Sequence, residues 1–347
     1  MEGEQKVVSV SCPSRIDFTG GFTDVMPFRA TQWVSHVNLA IDLPVEVVIE
    51  HRDDGLIALR DNHDHAPVLF ALVDEIEERF SLVKAALGDF AVDSGITVSV
   101  NSHAPQGAGL GTSGALSVAL VAALMLFTGR TLPDDKSEIA MLAAEIERMS
   151  GTLGGLQDQF AAVVGGLNLF QFYGLEHSSK RIELSDRLKK ELEENIFILY
   201  PGGDRRSTDV VVKVMREYTN GNLTVGNALL SLNELAIEIK KSLEFLDWAR
   251  LSFLLHEVRE QQLTLHPDLI DDGNLRIINN LSEMGIEGVK LLGGGGCGAC
   301  LLVVSEDSVL REAIINFCDV HYVDIIPVKC ASRGLEAKIS DSISLTL

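Results

Sequence analysis

The chain has 347 residues, which is enough for two domains or one large one, and 46% of them are hydrophobic, as in ordinary globular proteins. The formal net charge of −21 argues against a nucleic-acid binder, because contacts with a phosphate backbone need clustered lysine and arginine. The start of the chain has no basic segment followed by an apolar one, and the longest apolar run, residues 115–127, is too short to span a bilayer. With five cysteines, an odd number typical of reduced thiols, we expect a cytoplasmic protein without a membrane partner, either a monomer or a homodimer.

The predicted elements alternate between strands and helices along the chain. In the first half, apolar alternation predicts strands at residues 7–10, 37–41, 45–51 and 96–100, and helical spacing predicts helices at residues 69–87 and 136–149. In the second half, strands are predicted at residues 196–200, 289–292, 300–304 and 324–328, and helices at residues 209–218, 225–246, 249–263 and 273–284. This interleaving predicts a mixed α and β class with two domains, residues 1–180 and 181–347.

The stretch from Pro105 to Phe127, which follows the predicted strand at residues 96–100, predicts a glycine loop and a buried helix. Four glycines, with Thr112 and Ser113 among them, precede more than a dozen uncharged residues. Glycines allow backbone N–H groups to approach a ligand, and the start of a helix adds unpaired N–H groups and a positive dipole end. The stretch therefore predicts an anion site, and a phosphate is the usual anion.

Two common phosphate motifs do not fit this loop. Residues 109–114 match the dinucleotide pattern G-x-G-x-x-G, but the acids at the right distance, Asp134 and Asp135, follow Pro133 and lead into a predicted helix. A Walker loop would need a lysine before the hydroxyl residues, and none is there. Other segments that mix glycine with polar or charged groups occur at residues 11–24, 150–160 and 289–299.

Three of these segments together resemble the motifs of the GHMP kinases, the family named for galactokinase, homoserine kinase, mevalonate kinase and phosphomevalonate kinase. Residues 105–115, PQGAGLGTSGA, resemble the second motif, Pro-x-x-x-Gly-Leu-Gly-Ser-Ser-Ala, and depart from its commonest residues at Thr112 and Gly114. Residues 290–298 resemble the third motif. Residues 15–24 resemble the pattern Arg-x-x-x-x-Gly-Gly-x-x-Asp of the branch that holds fucokinases and heptose-phosphate kinases.

The resemblance implies an α+β, two-domain GHMP kinase fold, with a ribosomal protein S5 domain 2-like N-terminal domain and a ferredoxin-like C-terminal domain. It implies ATP and Mg²⁺ as cofactors and a sugar or sugar phosphate as substrate, phosphorylated on a hydroxyl, expected to be the anomeric one. Two alternatives stay open. One is a catalytically silent regulator that binds sugar and ATP, and the other is a kinase acting on a non-sugar alcohol such as mevalonate.

The resemblance also implies roles for the residues of the second motif. Those expected to hold ATP are Pro105, Gly107, Ala108, Gly109, Leu110, Gly111, Thr112, Ser113 and Gly114. Ser113 is also expected to bind Mg²⁺, together with an acid on the helix that precedes the catalytic aspartate. Two acids compete for that place, and at 100° per residue Glu145 lies on the polar face of the helix while Glu147 lies at the edge of the apolar face. A metal ligand should point inward, so Glu147 is the predicted ligand.

Asp158 is the predicted catalytic acid, since it resembles the aspartate of the family's Asp-Gln pair, and it would accept or orient the substrate hydroxyl. Arg15 would pair with Asp158 or with the phosphoryl group in transfer. The predicted substrate residues are Asp24, Asp17, Thr23, Gly21, Gly294, Gly295 and Arg206. Arg206 is included because two adjacent arginines in so acidic a chain could meet a substrate phosphate, although surface ion pairs would explain them equally well.

Overall fold

The computed structural model describes residues 6–62, 64, 66–105, 107–202, 210–296 and 298–341. These ranges contain twelve strands and ten α-helices. The strands are β1 (Lys6–Asp17), β2 (Val34–His51), β3 (Ile57–Arg60), β4 (Val68–Phe70), β5 (Ile96–Ser102), β6 (Leu167–Tyr173), β7 (Glu176–Ile182), β8 (Ile196–Tyr200), β9 (Val289–Leu291), β10 (Leu301–Val304), β11 (Asp324–Ile326) and β12 (Glu336–Asp341). The helices are α1 (Ser81–Asp89), α2 (Thr112–Phe127), α3 (Ser137–Met149), α4 (Gln157–Val164), α5 (Asp186–Asn195), α6 (Val210–Thr219), α7 (Leu223–Phe245), α8 (Trp248–Leu265), α9 (Asp272–Glu283) and α10 (Ser308–His321).

The larger sheet has eight strands and is built around the long strand β2. Its main order is β12-β1-β2-β5-β3-β4, and β6 pairs with β2 and with β7. One end of β2 pairs with β6 and the other end pairs with β5. The prediction of two separate strands at residues 37–41 and 45–51 was therefore wrong. The irregularity behind it is real, because the β1–β2 register shifts where Pro13 lies opposite Pro44, two residues without an N–H to donate.

The smaller sheet has four antiparallel strands in the order β11-β8-β10-β9. Helix α8 packs on β9, and α7 packs on both α8 and β2. The segregated sheets and their helices confirm the mixed α and β class. The last described strand, β12, returns to the larger sheet and pairs with β1. Residue 180 lies within β7, and a division into residues 1–180 and 181–347 stays a prediction.

The predicted helix at residues 69–87 was wrong over residues 69–80. The α-helix there, α1, begins only at Ser81, and the preceding segment forms β4 and two short 3₁₀ turns. The Glu75 carboxylate accepts hydrogen bonds from the N–H groups of Ala71 and Leu72. These local hydrogen bonds satisfy the N–H groups that precede the first 3₁₀ turn. The start of the segment is extended because β4 pairs with β3.

Helix α2 lies at the centre of the first half of the structure. It packs against β1, β2, α3 and α4, and residues 117–124 are all buried. Burial on every side explains why the helix is apolar without a polar face. Among the described residues, no helix combines the length and the apolar character that crossing a membrane requires.

Most other predicted elements agree with the structure, and β8 begins and ends at the predicted residues. Helix α10 was not predicted, although Asp307 caps it and apolar residues recur at helical spacing along it. Strand β12 was also missed. The predicted substrate residue Arg206 lies outside the described residues.

Candidate active site

The three segments that resemble GHMP kinase motifs line one cleft. Gly21 comes from the segment after β1, Gly109 and Gly111 from the loop before α2, and Gly293 and Gly294 from the loop after β9. The cleft is also lined by α4, through Asp158 and its neighbours. Segments that are far apart in the chain therefore meet where the sequence predicted a phosphate site.

The loop before α2 has the geometry of an anion cradle. Gly107, Gly109 and Gly111 have φ angles of 76°, 79° and 70°, in the left-handed region that glycine adopts without strain. Gly111 is the N-cap of α2, and Thr112 and Ser113 follow it at the edge of the cleft. The first N–H groups of a helix have no partner within it, so they and the helix dipole favour a phosphate here.

Some of the glycines allow two loops to approach each other closely. A Cβ on Gly293 would lie 2.7 Å from the Cα of Gly109, and a Cβ on Gly109 would overlap the carbonyl group of Leu292. The second and third loops therefore touch backbone to backbone, which no other residue type allows. A Cβ on Gly295 would lie 2.5 Å from the backbone oxygen of Leu269, so Gly295 packs against the protein and does not line the cleft.

Arg15 and Asp158 form an ion pair beside the glycine loop. Nε and Nη2 of Arg15 lie 2.8 and 2.7 Å from Oδ1 of Asp158, and Nη1 donates to the carbonyl oxygen of Gly109 at 2.6 Å. Both bonds to Asp158 end on Oδ1, and no donor among the described residues bonds Oδ2. Burial raises the pKa of Asp158, with the charges of Asp24 and Asp17 adding to the rise and Arg15 opposing it.

Gly114 explains one departure from the family motif. A Cβ at this position of α2 would lie 2.5 Å from the Cβ of Asp158 and 3.2 Å from the N of Gln159. The motif commonly has alanine here, and the missing methyl group leaves the room that α4 needs to pack this closely on α2. The position of Asp158 over the start of α2 depends on that contact.

Ser113 and Glu147 lie side by side at the edge of the cleft. The Ser113 hydroxyl and Nε2 of Gln159 both donate to the Glu147 carboxylate, which is 6% exposed. Glu145, on the outer face of the same helix, pairs with Arg148 in solvent. Burial raises the pKa of Glu147 to about 7, and the hydrogen bond from Ser113 opposes the rise.

The charges of the cleft favour a cation. Of the described side chains that line it, Arg15 is positive, whereas Asp24, Glu147 and Asp158 are acidic. A nucleotide triphosphate would meet a net negative cleft unless a cation came with it. No group of three or more His, Cys, Asp and Glu residues in the described part could hold a metal by itself. A hydroxyl and one carboxylate fit an ion such as Mg²⁺, which prefers hard oxygen ligands and keeps water or phosphate oxygens as the rest.

A buried polar network lies behind the cleft and contains two of the predicted substrate residues. Asp17 is fully buried, and its carboxylate accepts from the Thr19 hydroxyl at 2.8 Å and lies 3.5 Å from Nζ of Lys290. Thr23 bonds Nε2 of His36 at 2.8 Å, and Nδ1 of His36 lies 3.1 Å from the Thr19 hydroxyl. Neither Asp17 nor Thr23 lines the cleft, so any effect they have on substrate would be indirect.

The structure thus divides the predicted site residues into two groups. Those that line the cleft are Arg15, Gly21, Asp24, Gly109, Gly111, Thr112, Ser113, Glu147, Asp158 and Gly294. Those that do not are Asp17, Thr23, Pro105, Gly107, Ala108, Leu110, Gly114 and Gly295. Sequence reasoning missed Lys290 and His36, although a lone polar residue inside an apolar strand is a usable signal for a buried network.

The comparisons with known proteins agree with this geometry. Residues 73–166 match the family model for the GHMP kinases N terminal domain. The chain is 27% identical over 326 residues to a bifunctional fucokinase/GDP-fucose pyrophosphorylase of Arabidopsis thaliana, covering 87% of this chain but only 30% of that protein. It is 25% identical over 311 residues to a D-glycero-alpha-D-manno-heptose 7-phosphate kinase of Campylobacter jejuni, covering 84% and 88% of the two chains.

The fold comparison points the same way. A crystal structure of a D-glycero-D-manno-heptose 1-phosphate kinase from Bacteroides thetaiotaomicron matches with a TM-score of 0.76 at 21% identity, covering 95% of this chain and 98% of that one. A galactokinase from Lactococcus lactis, crystallised with galactose, matches with a TM-score of 0.70 at 17% identity, covering 95% of both chains. These likenesses confirm the expected α+β fold. Taken with the family model and the curated relatives, they show that this chain is similar to the GHMP kinases.

Proposed function

We propose that the protein is an ATP- and Mg²⁺-dependent sugar kinase that phosphorylates a hydroxyl, in our reading the anomeric hydroxyl, of a sugar or sugar phosphate. The observation that carries this proposal is the Arg15–Asp158 pair, which lies beside the anion cradle at the start of α2. Phosphoryl transfer needs positioning and charge neutralisation more than covalent chemistry from the protein, and this arrangement supplies both. Fucokinases and heptose-phosphate kinases among the relatives favour a sugar acceptor.

Each chemical role falls to a described residue. The N–H groups at the start of α2 bind the phosphates, and Arg15 stabilises negative charge between them and Asp158. Oδ2 of Asp158, the oxygen that Arg15 leaves free, accepts or orients the proton of the sugar hydroxyl, and the raised pKa of Asp158 suits it to take that proton. Ser113 and Glu147 would hold Mg²⁺, which would supply positive charge to neutralise the phosphates.

A substrate screen tests the proposal directly. The purified protein is incubated with ATP and Mg²⁺, and ADP release is followed with free sugars, sugar 7-phosphates and mevalonate as acceptors. We expect turnover with at least one sugar or sugar phosphate, and NMR of the product should show phosphate on the anomeric carbon. Turnover with mevalonate alone would defeat the sugar assignment; mevalonate belongs in the panel because a mevalonate kinase of Thermococcus onnurineus is 27% identical over 296 residues.

Replacing Glu147 by glutamine tests the metal site. We expect the Mg²⁺ concentration for half-maximal activity to rise about tenfold or more, because the amide cannot supply an anionic ligand. The matched control is Glu145→Gln, which removes an acid of the same helix that pairs with Arg148 in solvent. The control should titrate with Mg²⁺ as the unchanged protein does. Identical titrations for the two variants would remove Glu147 from the metal site.

A further inference from the structure

Helix α4, which carries Asp158, begins without a capping side chain of its own. Its N-cap residue is Leu156, whose apolar side chain makes no hydrogen bond to the helix. Leucine is among the poorest N-cap residues, whereas serine, threonine, aspartate and asparagine are preferred because their oxygens accept from the first N–H groups. The first N–H groups of α4 therefore need an acceptor from elsewhere in the chain.

Asp24 supplies that acceptor from a distant part of the sequence. Its Oδ2 accepts from the backbone N of Leu156 at 2.8 Å and from that of Gln157 at 2.9 Å, and Asp24 is 1% exposed. A carboxylate at this end of a helix also meets the positive end of the dipole. One of the two oxygens predicted to bind sugar hydroxyls is thus already engaged by the backbone of α4.

The loop before α4 is shaped around the Asp24 carboxylate. A Cβ on Gly155 would overlap the carboxylate group of Asp24. The neighbouring Gly154 has room, since a Cβ there would meet Oε2 of Glu147 only at 4.0 Å. The Asp24 carboxylate therefore leaves room only for glycine at position 155, whereas no close contact requires glycine at position 154.

The carboxylate also has a buried histidine behind it. Its Oδ1 lies 3.6 Å from Nε2 of the fully buried His36. The Thr19 hydroxyl donates to Asp17, an obligate acceptor when ionised, so Nδ1 of His36 donates to Thr19. Nε2 then meets the hydroxyl of Thr23 and the carboxylate of Asp24. Asp24 therefore lies against a buried polar cluster that β1 and β2 of the larger sheet carry.

We propose that Asp24 is a positioning residue, whose carboxylate caps α4 from 132 residues away and thereby sets where Asp158 stands relative to Arg15. The inference rests on the proposed function, since it assigns a task within the kinase site. A positioning residue and a sugar ligand affect different kinetic parameters. A ligand mainly sets how tightly the sugar binds, whereas the cap sets the geometry of the transfer step.

Two substitutions of Asp24 separate these roles. Asp24→Ala removes the cap, and we expect kcat to fall 10- to 100-fold, because small misplacements of catalytic groups have effects of that order. Asp24→Asn keeps an oxygen that can accept from the same N–H groups, so its kcat should stay within about fivefold of the unchanged protein. A raised sugar KM with unchanged kcat in both variants, or an equal fall in kcat in both, would overturn the proposal.

A second pair of variants leaves Asp24 in place. Gly155→Ala forces the carboxylate away from α4 and should lower kcat as Asp24→Ala does. Gly154→Ala is the matched control, with the same added methyl group one residue earlier, and its kcat should stay within about twofold. Equal kcat values for the two glycine variants would contradict the cap.

Amide hydrogen exchange gives a readout that needs no turnover. We expect the amides of Leu156 and Gln157 to exchange at least about tenfold faster in Asp24→Ala and in Gly155→Ala than in the unchanged protein, because they lose their acceptor. Unchanged exchange in both variants would overturn the proposal. If the unchanged protein phosphorylated no acceptor, the proposed function would fail, while the exchange rates would still decide whether Asp24 caps α4.

Discussion

Asp158→Asn should lower kcat by about 10² to 10⁴, the range typical of a lost general base. The amide keeps the shape of the side chain, and its oxygen can still accept from Arg15, so the ion pair is weakened without opening a cavity. The nucleotide should bind with little change, because the phosphates are held by the backbone at the start of α2. The measurement is a steady-state comparison of kcat and of both KM values.

The control for this variant is Asp319→Asn, an equivalent change at an exposed position of α10. Its kinetics should match those of the unchanged protein. A kcat for Asp158→Asn within tenfold of the unchanged value would show that Asp158 neither takes nor orients the proton. Turnover would then depend on the phosphate cradle and Arg15 alone.

Lys290→Met should destabilise the protein by about 3–5 kcal/mol, the range found when one partner of a buried ion pair is removed. Lys290 is fully buried, donates to the backbone oxygen of Asp17 at 2.6 Å and lies 3.5 Å from its carboxylate. Methionine fills similar space but leaves the carboxylate without its counter-charge. Urea unfolding at pH 7 measures the loss. Lys241→Met, which breaks an exposed helix pair with Glu238, should cost less than about 1 kcal/mol.

The pH dependence of this loss has a definite sign. Burial alone would raise the pKa of Asp17, but the charge of Lys290, aided by His36 and Arg15, outweighs it and lowers the pKa to about 2. Since that value is below the usual one, Asp17 stabilises the unchanged protein above about pH 4, and this stabilisation is lost as the pH falls towards 2. In Lys290→Met the burial effect remains, so Asp17 takes a proton at higher pH. The gap between the two proteins should therefore shrink from pH 7 towards pH 4.

A second change completes the test. Adding Asp17→Asn to Lys290→Met removes the uncompensated charge, and the double variant should be more stable at pH 7 than Lys290→Met alone. A Lys290→Met protein that unfolds within 1 kcal/mol of the unchanged one would show that the pair contributes little. A double variant no more stable than the single one would show that the loss comes from packing.

The parts of the site that were visible in the sequence are those made by local backbone chemistry. Glycine runs before and after apolar segments predicted the loops, and helical periodicity distinguished the inward Glu147 from the outward Glu145. Both follow from rules that act over a few residues. The predicted helix at residues 69–87 failed for the same reason, because local periodicity there did not include the pairing of β4 with β3.

The parts that were not visible are contacts between distant segments. The cap of α4 by Asp24 joins residues 132 apart, and the bond from Lys290 to Asp17 joins residues 273 apart. One glycine can equally well permit a turn or a close approach, so the role of Gly114 could not be inferred until α4 was placed against α2. Each of these contacts depends on which surfaces of the folded chain pack together, and this cannot be inferred from a single sequence.

The return of β12 to the first strand bears on how the protein is made. β12 covers one edge of β1, and it is the last of the described strands to be synthesised. While translation proceeds, β1 can pair with β2 but presents its other edge unpaired, and open edges are where chains aggregate. Nascent chains that stall between β11 and β12 should therefore be the ones that most need a chaperone. A truncation that removes β12 should lower the yield of folded protein while leaving the residues that line the cleft in place.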